Sequence, residues 1–484
     1  VSSFTVADLL VLDNTNEQIT WDNTSLALNG GLKLDTNGEL TWKNPGNLAI
    51  GNITLNGGIL KIGETTGSQT FVLDNSTNLT LTADSEIYFN SGSILNYSGA
   101  EVSLGKILTL GGSGQLQNTN DLNLGAGGKL KLSEISVAKV ITSADSLGLK
   151  IDNDTTITSL SVSNLTPVSI ASGKTLSGGI TVNTGGTLQL ADNGTIAADI
   201  SMNGGVLDAD NSLTISGTVT QSGDTTIDVI ANKTLTYSGA TLSLGANTLT
   251  MSGGGTFYNS DNLTLSAESI LKLDGIGKVE KVFVSENLTT GFIDVDQNAT
   301  IQTFLHSKSS RIDIADGKSL TLTDTFEVPA DQTMELYGSG GGTINIGDNL
   351  TLSGILKLNA QNNTLANGKL VFNNGLLDVD EDTTISTEIF LADNASMDLA
   401  IGKQLSLTKA FEVPQGLKLE MVGAGGGILS LTETLKLKGN LQFSAPGYSL
   451  INGKLELNNE SLLDVDYHTI IDSDIVLLGN TTVD

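Results

Sequence analysis

The chain contains no cysteine and a single arginine, Arg311, among 484 residues. The first absence excludes a disulfide scaffold, cysteine-based zinc sites and thiol chemistry. The second goes with 53 acidic residues against 24 basic ones and a formal net charge of −29. No basic stripe is available to neutralise phosphates, which excludes nucleic acid as a partner. Anionic membrane surfaces repel such a chain for the same reason. Only 5 prolines and 4% aromatic residues occur. No apolar run reaches the roughly 18 residues of a membrane-spanning helix, so no spanning segment is expected in this piece. There is no signal-peptide pattern and no initiator Met. The sequence starts at Val1 and stops at Asp484 inside a repeat copy, and we expect a fragment of a longer protein.

What the chain has is repetition. Gly317-Lys318 and Phe326-Glu327-Val328-Pro329 return at a constant offset as Gly402-Lys403 and Phe411-Glu412-Val413-Pro414. Glycine clusters stand at Gly253–Gly255, Gly340–Gly342 and Gly425–Gly427. An Asp-x-Asp element stands at Asp208/Asp210, Asp294/Asp296, Asp378/Asp380 and Asp464/Asp466. Tyr97-Ser98-Gly99-Ala100 returns as Tyr237-Ser238-Gly239-Ala240. These landmarks define copies at approximately 208–293, 294–377 and 378–463, with a partial copy at 464–484. A fixed period of this kind means stacked similar units in place of one globular core.

A shorter period lies inside the long one. Ile19-Thr20-Trp21 and Leu40-Thr41-Trp42 are 21 apart, and Ala191-Asp192-Asn193 and Ala209-Asp210-Asn211 are 18 apart. Short segments such as Leu79-Thr80-Leu81-Thr82 and Leu320-Thr321-Leu322-Thr323 alternate apolar with polar residues, the period of a half-buried strand. Asn-Gly, Gly-Gly and Asp-Asn pairs supply the turns between them. No segment carries a capped 3.6-residue period; Ser133–Leu149 is the most helix-like. The expected fold is all-β: one continuous parallel β-solenoid over residues 1–484, with coils of about 20 residues and an 85-residue super-repeat.

Two stretches bring a family into view. Asn183-Thr-Gly-Gly-Thr-Leu-Gln-Leu-Ala-Asp-Asn-Gly-Thr-Ile196 and Asn203-Gly-Gly-Val-Leu-Asp-Ala-Asp-Asn-Ser-Leu-Thr-Ile215 resemble the passenger regions of bacterial autotransporters and filamentous-haemagglutinin-like adhesins. The resemblance is one of style over nearly the whole chain and rests on no diagnostic motif. It implies a right-handed β-helix displayed outside a Gram-negative cell.

Candidate sites are few. Two aspartates two apart on a strand share a face and can hold Ca²⁺ through oxygen ligands. Asp378, Asp380 and Asp382, with Glu381 between, form the densest such cluster and the candidate metal site. The plainer reading is a strand end entering an Asx turn. Trp21 and Trp42, one coil apart, either stack structurally or offer a surface to a sugar ring. His306 and His468 stand far apart in different repeat positions, so no catalytic triad is built from them. The glycine clusters lack the Lys-Ser/Thr of a phosphate loop and read as tight turns.

The expectation is a non-enzymatic extracellular rod, structural or adhesive, of a bacterial surface protein or filament. Its partners are surface glycans or proteins of another cell, or copies of itself end to end. The alternatives are a glycan- or cation-dependent binding module and a polysaccharide-degrading enzyme. No cofactor is expected beyond the Ca²⁺ just named.

Overall fold

The computed structural model describes residues 4–13, 17–21, 26–43, 49–63 and 68–484. Val1, where the sequence starts, lies outside the described residues. The chain falls into two compact units, Val1–Ala240 and Thr241–Asp484. Each is a parallel β-solenoid, and no helix occurs among the described residues. Among the described residues no helix is long and apolar enough to cross a membrane.

A coil takes about 21 residues. Its length follows from alternation. In Ile355–Leu358, Leu356 and Leu358 point inward and are fully buried, while Ile355 and Lys357 are half-buried on the outer face. Leu356 stacks between Met334 of the coil before and Leu377 of the coil after. Each such leucine contributes about 2 kcal/mol by leaving water. Parallel ladders pair the backbone of each coil with its neighbours, so the interior holds few unsatisfied amides.

Three short strands make a coil. One coil runs Ile355–Leu358, Asn363–Ala366 and Lys369–Phe372 before returning at Leu376–Val379. Elsewhere the second and third strands merge, as in Ala299–His306. The turns absorb variation: the coil that brings Thr195 opposite Thr214 is shorter than the one that brings Ile59 opposite Glu86. The helix-like stretch follows the same plan. Ser136–Thr142 is a strand beside Thr155–Val162, with Val137 and Val140 buried in the stack.

The repeated Tyr-Ser-Gly-Ala element has a packing role. Tyr97 is buried; its hydroxyl donates to the Ala100 carbonyl at 2.8 Å and accepts from the Leu79 amide at 3.3 Å. The Tyr237 hydroxyl accepts from the Val219 amide at 3.2 Å, the same distance back along the chain. A Cβ at Gly99 or Gly239 would strike the tyrosine ring of its own motif.

On one face of the second unit the ladder is interrupted twice. Phe326–Val328, Asn349–Leu352, Lys369–Phe372 and Glu388–Leu391 form a sheet of four strands. No ladder joins Ala299–His306 to Phe326–Val328, and none joins Glu388–Leu391 to Phe411–Val413, which pairs onward with Thr434–Leu437. Both interruptions fall at the repeated Phe-Glu-Val-Pro landmark.

Candidate functional site

The Asp-x-Asp elements occupy one position in the coil. Asp208, Asp294, Asp378 and Asp464 are each the third residue of a four-residue strand, on its outer face. Register places one residue before each of them in the preceding coil: Gln189, Lys272, Lys357 and Gln442. In the following coil a second aspartate lies opposite the first three: Asp228, Asp313 and Asp398. The landmark is thus the middle of a column running along the coil axis, with its cation or amide one coil upstream.

Lysine and glutamine act differently there. The Lys357 ammonium reaches Asp378 at 3.1 Å and Asp380 at 2.5 Å. Lys272 bridges Asp294, at 3.5 Å, and Asp296. Gln189 donates to Asp210 at 2.7 Å, and Gln442 donates to Asp466 at 3.1 Å. The electrostatics follow. Partial burial, then the neighbouring Asp210 and Asp228, push the Asp208 carboxyl up to about 6. Burial and Asp296 also raise Asp294, but Lys272 opposes them. Asp313 and Asp398 are raised by burial and by the column carboxylates before them.

Glycine makes room for the last aspartate of a column. A Cβ at Gly338 would lie 2.0 Å from the Asp313 carboxylate, and one at Gly423 2.0 Å from that of Asp398. Both glycines have positive φ, 105° and 89°, so the backbone turns over the carboxylate in a conformation that side chains rarely adopt. Gly338 and Gly423 begin the runs whose later members were read as tight turns.

The three candidate metal ligands are divided between different partners. Asp378 and Asp380 share Lys357, whose ammonium supplies the positive charge a cation would bring. Asp382 accepts from the Gln404 amide at 2.8 Å, and Glu381 pairs with Lys403 at 2.5 Å. Among the described residues no group of three His, Cys, Asp or Glu side chains is placed to hold a metal ion. The partners of this acidic cluster lie one coil away, on either side.

Trp21 and Trp42 do lie opposite each other in adjacent coils. Trp42 is 3% exposed and meets Phe71 edge-on, with ring centroids 4.8 Å apart, so it belongs to the core. Trp21 is half-buried. His306 ends the strand Ala299–His306, buried and stacked on Phe304. Neither ring nitrogen makes a well-formed hydrogen bond, and the Glu327 backbone approaches the ring only marginally. Burial pushes the imidazole down to about 4, against an opposing pull from the Glu327 backbone.

One feature was not found by sequence reading. An open groove of about 560 Å³ lies where the ladder is interrupted between Glu388–Leu391 and Phe411–Val413. Phe390, Phe411 and Pro414 line it together with Lys409 and Lys436. Its signal in the sequence was the departure of Phe390, Lys409 and Lys436 from their counterparts in the preceding copy.

Compared with known proteins, the chain matches no family model and no curated protein.

Proposed function

We propose that this chain is part of an extracellular structural or adhesive rod of a bacterial surface protein or filament. It acts by length and by presenting repeated surfaces, without catalysis. Its partners are surface glycans or proteins of another cell, or further copies of itself end to end. The reading is carried by one observation: the axial columns centred on Asp208, Asp294 and Asp378 recur with the same register. Stability is thereby assembled from near-neighbour contacts between coils, the property that lets a solenoid be extended unit by unit. The −29 charge favours solubility and opposes sideways association of such surfaces.

Removal of one whole unit tests it. Deleting residues 317–401 takes out Lys357, Asp378 and Asp398 together, joins Asp316 to Gly402, and brings Gly423 into the place of Gly338 beneath Asp313. The expected product folds and is shorter by about four coils, roughly 19 Å at ~4.8 Å per coil. Particle length, melting temperature and cell adhesion or filament formation are measured for this and other single-unit deletions. Loss of adhesion graded with length supports the rod. Abolition by one unit alone, with folding intact, overturns a function based on length.

A further inference from the structure

We propose that the groove between Glu388–Leu391 and Phe411–Val413 is a docking site for an extended, acidic peptide segment that carries bulky apolar side chains. This goes beyond a spacer role, which needs no such groove. Internal comparison separates what the fold requires here from what it does not. Phe326–Val328 pairs with Asn349–Leu352 as Phe411–Val413 pairs with Thr434–Leu437, and Glu327 faces Thr351 as Glu412 faces Lys436. The earlier copy builds the same strands with Leu305, Asp324, Thr351 and Ser353. The later one has Phe390, Lys409, Lys436 and Lys438 at those positions. Folding therefore demands neither the aromatic side chain nor the lysines.

Two properties of the groove select the occupant. Its floor is apolar: Phe390 is 46% exposed beside the buried Phe411. Its charge is locally cationic in a strongly acidic chain. Lys409 and Lys436 line it, and Lys369 sits 5.0 Å from the centre of the Phe390 ring. Of the two glutamates in its wall, Glu412 is neutralised by Lys438 at 2.9 Å, and Glu388 lies opposite Lys369 in register. Glu388–Leu391 and Phe411–Val413 still run side by side as closely as paired neighbours do, so an occupant lies across the outer face of the groove and not between the strands. A peptide meets both: side chains on the aromatic floor and carboxylates on the lysines. An acidic polysaccharide lacks the bulky apolar groups, and one face of Phe390 is already taken by Lys369.

Binding of fluorescent octapeptides to the whole chain, followed by anisotropy, tests this. The probes alternate Glu with Leu, Glu with Ser, or Lys with Leu. An oligogalacturonate of equal charge is the polysaccharide probe. The variant Phe390→Leu, Lys409→Asp, Lys436→Thr gives the groove the residues the earlier copy folds with, and its melting curve verifies the fold. We expect saturable binding of the Glu-Leu peptide, at least tenfold weaker binding of the other two, and at least a tenfold loss in the variant. Absence of saturable Glu-Leu binding, equal binding by the folded variant, or equal binding of the Lys-Leu peptide overturns the proposal. Tighter binding of oligogalacturonate reassigns the groove to polysaccharide. Self-association that the variant abolishes, without peptide binding, makes it an interface between copies. Each of these last two results also overturns the proposal. Deleting residues 317–401 removes Phe390 and the groove with it, so the two proposals are told apart by the deletions of other units, which leave the groove in place.

Discussion

The coils around His306 and those around Leu391 hold equivalent places in successive copies, and they fill one spot in opposite ways. Leu391 is a buried hydrocarbon at the end of its strand. His306 puts an imidazole there with no well-formed hydrogen bond and its charged form suppressed. The columns show a second contrast, with Gln189 where later copies place Lys272 and Lys357. Strand lengths and register survive both exchanges. Inward-facing leucines and valines specify the backbone, while outer and terminal positions are free to diverge, and divergence there changes charge and pH response rather than fold.

The largest expected effect comes from erasing the first contrast. His306→Leu should stabilise the protein by about 1–3 kcal/mol near neutral pH, the usual cost of an unsatisfied buried polar group. The folded pKa of about 4 lies below the unfolded value of 6.5, so the folded state binds fewer protons between them. Wild-type stability is then full above about 6.5 and falls as pH drops toward 4. Denaturant melts at pH 7.5, 5.5 and 4.5 should show the advantage of leucine widening on acidification. A narrowing gap would mean that the ring finds a partner when charged.

The second contrast predicts smaller changes. Lys357→Met leaves Asp378 and Asp380 without their shared ammonium and should cost about 1 kcal/mol, modest because the pair is partly exposed. Lys357→Gln should cost less, since Gln189 and Gln442 serve at equivalent positions. Equal losses from the two variants would show that an amide cannot substitute for the ammonium.

The smallest effect belongs to Asp208→Asn. Its folded pKa of about 6 lies above the ordinary value of 3.8, so the folded state binds more protons in that window. Wild-type stability therefore falls as pH rises from about 4 to 6, and the penalty is complete above 6. The asparagine variant should be more stable at pH 7.5 by a few tenths to about 1 kcal/mol, discounted for exposure, and equal to wild type at pH 4. An advantage unchanged at pH 4 would assign the gain to something other than charge.

Much of the fold was legible because alternation and stacking are properties of the sequence itself. The step from Trp21 to Trp42 in the sequence is the step observed between their coils. The axial neighbours of the acidic elements were not legible. Coil length varies, as the pairings of Thr195 with Thr214 and of Ile59 with Glu86 show. Spacing alone therefore does not say that Lys357 meets Asp380 or that Gly423 accommodates Asp398. The acidic cluster at Asp378–Asp382 was visible as a concentration of charge. Its division among Lys357, Lys403 and the Gln404 amide depends on the coils to either side. The groove depends on a ladder that stops, which no local pattern announces.

The position of Gly423 beneath Asp398 has a consequence for how such a gene can change length. Lys357, Asp378, Asp398 and Gly423 sit in four successive coils. Slippage or recombination that adds or drops a single coil splits this set, stranding a carboxylate without its cation or driving it into a side chain. Exchange in steps of four coils keeps every set whole. From Asp208 onward, a change of length that keeps these sets whole is therefore expected to come in whole super-repeats, the interval that separates Asp313 from Asp398 and Gly338 from Gly423.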